Sequence, residues 1–276
     1  MLRGVIICAV SGCAVFPHSE HARIQHADRI AQSSQLDKRL IPTQSFLITV
    51  YERLKTPGRP LYVYLEGDGY AWVSLRRPSG NPTPRNPIAL RLAALDPAEN
   101  VVYVARPCQY TPRAEDSACE VAYWTERRFS EEVIASLNEA LERLVQQGRP
   151  SETHLVGFSG GGTIALLIAA RRTDITDVRT VAGNLNPEAV NRSHGVGMSQ
   201  TDMNPMDVAA ALAALPQQHF IGTRDAVVPA AIARSYFDAS GKSRCVQVIS
   251  VEGATHETGW LNRWQELLKT PFACAE

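Results

Sequence analysis

From Gln44 onward the chain alternates short apolar runs with stretches of helical period. Residues 45–54 and 61–65 are rich in β-branched and aromatic side chains and predict strands. The turn-forming run Thr56-Pro57-Gly58-Arg59-Pro60 joins them, which predicts an antiparallel entry into a sheet. A short helix is expected over 87–95 and a strand over 101–105. The clearest helix opens at Ser130, a cap residue followed by two glutamates. Val133, Leu137, Leu141, Leu144 and Val145 then recur at helical spacing, until Gly148 and Pro150 end it. The strand 153–158 runs straight into a helix over 160–172. Further strands are expected at 178–182, 219–222 and 246–251, and helices at 206–215, 230–237 and 258–268. Short apolar strands alternating with helices predict an α/β domain, with a mostly parallel sheet covered on both faces. No linker divides residues 44–276. The proline-rich run 77–87 is the least patterned part of that stretch.

The N-terminus follows a different pattern. Met1-Leu2-Arg3, a short apolar run and Ser11-Gly12-Cys13 have the layout of a secretory signal, and the run is too short to span a bilayer. Val10-Ser11-Gly12-Cys13 resembles the lipobox of bacterial lipoproteins, in which the cysteine is lipidated and becomes the first residue. That resemblance implies a signal over 1–12, lipidation of Cys13, and a lipidated tether over 13–43 holding the domain to a membrane. Ala14, rather than aspartate, after the cysteine resembles lipoproteins of the bacterial outer membrane, so the expected place is the cell envelope, facing the periplasm. An ordinary N-terminus with a chance cysteine is the alternative. His18, His21 and His26 fall in a polar segment without periodic apolar positions, which favours a solvated tether over a metal site.

Composition adds two points. Lys+Arg and Asp+Glu both number 28, so the chain lacks the basic surplus of nucleic-acid binders. Of six cysteines, Cys8 falls in the signal and Cys13 is the lipid site. Four then remain, an even number in an exported chain, which suggests disulfides. Loop-closure entropy favours the local pairings Cys108–Cys119 and Cys245–Cys274 over the other two arrangements. Buried free thiols are the alternative.

Candidate chemistry centres on Gly157-Phe158-Ser159-Gly160-Gly161. A Gly-x-Ser-x-Gly match arises by chance in roughly one chain in ten of this size, so the context carries the argument. An apolar strand ends at Phe158 and a helix begins at Gly160, and this resembles the nucleophile elbow of the α/β-hydrolases. In that superfamily an acid and then a histidine follow the serine, each in a loop after its own strand. Here Asp225 stands in Thr223-Arg224-Asp225-Ala226-Val227-Val228-Pro229 and His256 in Glu252-Gly253-Ala254-Thr255-His256, both directly after expected strands. Taken singly, His256 is a surface histidine and Asp225 a turn residue. Asp202, Asp207 and Glu257 are rival acids. Glu66-Gly67-Asp68-Gly69-Tyr70 resembles the His-Gly-x-Gly loop of lipases and esterases, with glutamate in the histidine's place. By that resemblance the amides of Asp68 and Gly160 form the oxyanion hole; a plain glycine turn is the alternative.

The resemblance spans about 44–269. It implies a serine hydrolase cleaving carboxylic esters through an acyl-enzyme, with Ser159, His256 and Asp225 as triad and no metal or organic cofactor. The expected partner is a small-molecule or peptide substrate with a carbonyl centre, not nucleic acid. A serine peptidase or amidase of the same fold, and an inactive envelope binding lipoprotein, stay open. The insertion at 184–205 is short and polar, which points to an open cleft. The segment 107–129 is expected to bring Gln109, Tyr110, Tyr123, Trp124, Arg127 and Arg128 near the mouth of the site. There the arginines would suit an anionic acyl or leaving group. Plain packing is the alternative, above all for Tyr123 and Trp124.

Overall fold

The structure, a computed structural model, describes residues 19–74, 76–112, 114–195 and 202–274. The expected signal over 1–12 and Cys13 lie outside the described residues. The chain enters through helix α1 (Glu20–Ser33) and two strands, β1 (Asp37–Pro42) and β2 (Leu47–Leu54). β3 (Leu61–Leu65) leads to a small hairpin, β4 (Trp72–Ser74) with β5 (Arg77–Pro78), and then to α2 (Ile88–Leu95). Regular alternation follows in β6 (Asn100–Val104), α3 (Glu131–Gly148), β7 (Thr153–Phe158), α4 (Gly160–Ala169) and β8 (Ile175–Val181). The short helix α5 (Pro187–Ser193), β9 (Gln217–Gly222), α6 (Ala230–Ala239), β10 (Val246–Val251) and the four-residue α7 (Trp264–Leu267) complete it.

Eight strands make one sheet in the order β1-β2-β6-β3-β7-β8-β9-β10. β2 runs antiparallel to both its neighbours, and all other pairs are parallel. The inner strands are buried on both faces and so divide their apolar side chains between two cores. Leu61, Val63 and Leu65 join one core with the buried faces of α3, α4 and α6. Tyr64, Val101 and Tyr103 join the other, with α1, α2 and α7. The period-2 alternation of a strand, with both faces covered, produces this division. Cys108 is bonded to Cys119 and Cys245 to Cys274, the expected local pairings. No helix among the described residues is long and apolar enough to cross a membrane.

Three expectations are corrected. The strands at 45–54 and 61–65 do not pair with each other, because β6 lies between β2 and β3. β6 is buried along its whole length and needs a neighbour on each side; α2 supplies the crossover that lets it pair in parallel with β3. The polar segment assigned to the tether is part of the domain. Ser19 caps α1, Ala27 and Ala31 are buried against the sheet side, and Tyr51 Oη donates to Asp28 Oδ1 at 2.6 Å. Small alanines let α1 pack closely without the bulky periodic stripe that would have announced it, and the folded unit therefore starts no later than Ser19, not at 44. Finally, the helix expected over 206–215 is mostly turn, holding only a 3-10 turn at Pro205–Asp207, and the one expected over 258–268 starts late: after Gly259 at φ +89, a 3-10 turn at Leu261–Arg263 leads into α7.

Candidate active site

The turn between β7 and α4 presents Ser159. Its backbone sits at φ 50, ψ −120, a strained conformation for a residue with a side chain. Three hydrogen bonds hold it there: its N–H donates to Val181 O at 3.0 Å, and its carbonyl accepts from Gly162 N and Asn184 N, each at 2.9 Å. The flanking glycines are required by crowding. A Cβ on Gly157 would lie 2.4 Å from Gly161 O, and one on Gly161 would lie 2.1 Å from Leu65 O. Serine is thereby fixed at the C-terminal edge of the sheet, at the N-terminus of a helix.

The loops after β9 and β10 bring the other two groups to it. His256 Nε2 lies 3.0 Å from Ser159 Oγ, and His256 Nδ1 lies 2.9 Å from Asp225 Oδ2. Asp225 has a fully buried side chain, and its second oxygen accepts from the amides of Val227 at 2.8 Å and Val228 at 2.9 Å. These bonds keep the carboxylate aimed at the imidazole. The histidine loop is braced by Trp260, whose indole N–H donates to the carbonyls of Thr255 and His256. Phe158 packs a tilted ring against the imidazole at 5.3 Å. Sequence reasoning had no signal for either brace. None of the rival acids is bonded to His256: Asp202 accepts from Phe129 N, Glu257 accepts from Asn86 Nδ2, and Asp207 is exposed.

The loop after β3 lies alongside. Glu66 is tucked under it, its Oε1 accepting from Gly67 N at 2.9 Å and Ala89 N at 3.4 Å. Burial pushes its carboxyl up to about 7, against the opposing pull of those amides. Gln109 Nε2 donates to Gly67 O at 3.0 Å, and Tyr70 N donates to Pro82 O at 2.9 Å. The Asp68 carboxylate lies between two buried arginines, 2.9 Å from Arg106 Nη1 and 3.1 Å from Arg128 Nε. It also abuts Gly160, where a Cβ would come within 2.2 Å of Asp68 Oδ1. An acidic loop beside a serine is tolerable here because one carboxyl is pushed toward neutrality and the other is doubly paired.

The residues expected at the mouth from 107–129 do other work. Arg128 is buried and donates to Asn191 Oδ1 and Thr125 O as well as meeting Asp68. Arg127 pairs with Glu132 and lies over Tyr123. Tyr110 is wholly buried, Trp124 donates to Ser79 O, and Tyr123 meets Phe46 edge-on. Instead, a cavity of about 430 Å³ is lined by Ser159, His256, Phe158, Tyr70, Arg85 and Glu257, among others. Among the described residues no group of three or more His, Cys, Asp or Glu side chains is placed to hold a metal ion.

No family model matches the chain, and no curated protein does. Solved structures do. An α/β serine hydrolase homologue from Coxiella burnetii superposes with a TM-score of 0.53 at 17% identity, covering 83% of this chain and 92% of that one. An esterase from Pyrococcus furiosus gives 0.60 at 10% identity over 86% and 92%. The chain has the α/β-hydrolase fold. An acylaminoacyl peptidase from Pyrococcus horikoshii contains the same α/β-hydrolase fold, with a TM-score of 0.58 at 10% identity over 87% of this chain but 42% of that one. Within this fold, Ser159, Asp225 and His256 follow β7, β9 and β10, all at one edge of the sheet.

Proposed function

We propose that the protein is a serine hydrolase that cleaves carboxylic esters through an acyl-enzyme. The continuous hydrogen-bonded line Asp225–His256–Ser159, opening onto a cavity, carries this reading. His256 Nε2 takes the Ser159 proton as Oγ attacks the carbonyl carbon, and Asp225 holds the tautomer with Nδ1–H and stabilises the imidazolium. The amides of Asp68 and Gly160 receive the tetrahedral oxyanion, each contributing about 3 kcal/mol in comparable sites. His256 then protonates the leaving alcohol, and water repeats the sequence to release the acid. Cleavage of amides is the second reading, supported by the likeness to an acylaminoacyl peptidase.

A fluorophosphonate probe followed by mass mapping tests the nucleophile. Labelling on Ser159 that disappears in His256→Ala is the expected result; a folded, unlabelled protein would sink the hydrolase reading. A 4-nitrophenyl ester and the matching 4-nitroanilide then separate ester from amide cleavage.

The two disulfides and the N-terminal pattern support an exported protein anchored to a bacterial envelope through lipid on Cys13. Metabolic labelling with an alkyne fatty acid should tag the wild type and not Cys13→Ser. Equal tagging of both would remove Cys13 as the anchor.

A further inference from the structure

Most buried arginines in this protein meet a carboxylate. Arg106 and Arg128 share Asp68, and Arg172 meets Glu142 and Asp174. The buried Arg23 and the half-buried Arg85 do not: among the described residues neither has a carboxylate within ion-pair distance. Arg85 lines the cavity that holds Ser159 and His256. Its guanidinium lies over the Tyr70 ring at 3.8 Å, and its Nε is buried without an acceptor. Arg23, on α1 and only 4% exposed, lies 5.2 Å from the same ring, with Nε and Nη1 both buried and without acceptors.

Two neighbouring guanidiniums with orphaned donors are costly, since a buried charge needs a partner and hydrogen bonds. Burial lowers the pKa of Arg23, the positive charge of Arg85 lowers it further, and Glu20, one turn back on α1, offsets this in part. The arrangement is nonetheless built rather than accidental. Arg85 stands between Pro84 and Pro87, whose rings restrict the backbone on either side. Tyr70, the platform between loop and helix, follows Gly69 at φ +66 and is tied by its amide to Pro82 O.

The carboxylates that share the cavity lining do not offset this charge. Asp68 is shared by two arginines and Glu66 is pushed toward its neutral form, which leaves the exposed Glu257, bonded to the neutral Asn86 amide, as one carboxylate against the guanidiniums of Arg85 and Arg23. The charge left over beside the nucleophile is positive.

We propose that Arg85, backed by Arg23 across Tyr70, forms an anion subsite next to Ser159, so that the substrate is an ester bearing a carboxylate on its acyl or alcohol part. The substrate class rests on the serine hydrolase reading above; the subsite itself does not. A carboxylate entering the cavity supplies acceptors to Arg85 and relieves its repulsion with Arg23. Guanidinium–carboxylate pairing is charge-assisted and is strengthened by exclusion from water. Arg85 is thus a specificity residue that meets the substrate's charge rather than the bond that breaks.

The test uses matched ester pairs on the whole protein. 4-Nitrophenyl hydrogen adipate against its methyl-capped diester places the charge on the acyl side. 4-Carboxyphenyl butyrate against its methyl ester places it on the leaving group. The expected result is a preference of about tenfold or more in kcat/KM for the anionic member of one pair, declining as salt is raised. In Arg85→Gln that ratio should fall to near one, with Arg85→Lys retaining part of it. A ratio near one for both pairs in the wild type, or a ratio that survives Arg85→Gln, overturns the proposal; the wild-type arm requires no variant to fold. If Ser159 proves inert to fluorophosphonate, calorimetry with monomethyl adipate against dimethyl adipate takes the place of kinetics. Selective binding of the monoanion, lost in Arg85→Gln, would uphold the subsite while the hydrolase reading falls. Absence of selective binding would overturn the subsite as well.

Discussion

Strand β7 has a histidine–aspartate pair near each of its ends, and the two differ instructively. At its start, His154 Nδ1 lies 2.6 Å from Asp177 Oδ2, and the imidazole stacks on Tyr62 at 4.4 Å. The far ring nitrogen lies 3.4 Å from Glu152, and Asp177 also lies 3.6 Å from Arg179. At its end, Ser159 meets His256, which meets Asp225 at 2.9 Å. Both are imidazole–carboxylate pairs with a buried carboxylate, and His154 and Ser159 stand roughly 17 Å apart along a strand rising about 3.3 Å per residue. Only the second has a hydroxyl on its far nitrogen, helix-start amides beside it and a cavity to receive a substrate. A His–Asp pair is therefore a common structural unit, and the end of the sheet it occupies decides what it can do. At the C-terminal edge, strands give way to loops and helix N-termini that favour developing negative charge.

The sharpest way to break this comparison is to remove each histidine in turn. His256→Ala should lower kcat/KM on a 4-nitrophenyl ester by about 10⁴-fold or more, with little loss of melting temperature. His154→Ala should do the opposite, leaving Asp177 without its imidazole and costing about 2–4 kcal/mol in denaturant titration while kcat/KM stays within about threefold. Comparable activity losses in both would erase the distinction. Next in size is Asp68→Ala, which leaves Arg106 and Arg128 buried without their shared carboxylate. A stability loss of about 3–5 kcal/mol is expected, measured in the same titration. A loss within about 1 kcal/mol would mean that the network is solvated.

The smallest effect concerns Glu66 and is read from pH. Unfolded, its carboxyl loses its proton near 4.5; folded, near 7, because burial disfavours the charge. The native state therefore holds the extra proton between those values, and stability falls as pH rises through the window, levelling off above about 7. Glu66→Gln keeps an acceptor for Gly67 N and removes the ionisation. Its melting temperature should gain on the wild type as pH rises from about 4.5 to 7, by up to about 3 kcal/mol in stability. A difference independent of pH would show that Glu66 does not titrate in this range.

The meeting of Ser159, His256 and Asp225 was legible because each of the three stands in a locally written setting. The glycines around Ser159 answer a crowded turn, and Asp225 and His256 stand where apolar strands stop. The bracing of the neighbouring loop was only half legible. Glu66-Gly67-Asp68-Gly69 marked a loop, but nothing adjacent in sequence says that Asp68 meets Arg106 and Arg128 or that Gln109 holds Gly67. Arg127 and Arg128 were expected to act together; one is half-exposed and paired with Glu132 and the other buried on Asp68, because the turn after the 3-10 segment at Val121–Trp124 sends neighbouring side chains in different directions. Helix α1 was missed because its buried positions are alanines and an arginine, which do not stand out against a polar segment. The strand order was missed because β6 joins β2 and β3 through contacts distant in sequence.

By itself the sequence determined the α/β alternation, the strained serine turn, the placing of Ser159, Asp225 and His256 after successive strands, and the local disulfide pairings. These depend on periodicity, glycine sterics and short loop closure, which act between residues close along the chain. Only the tertiary structure decided the place of β6, the docking of α1, the pairing of Asp68, and the meeting of Arg23, Tyr70 and Arg85 beside Ser159. Those depend on which charges lose water together and what acceptors surround them, and that is fixed by packing between distant segments rather than by any one of them.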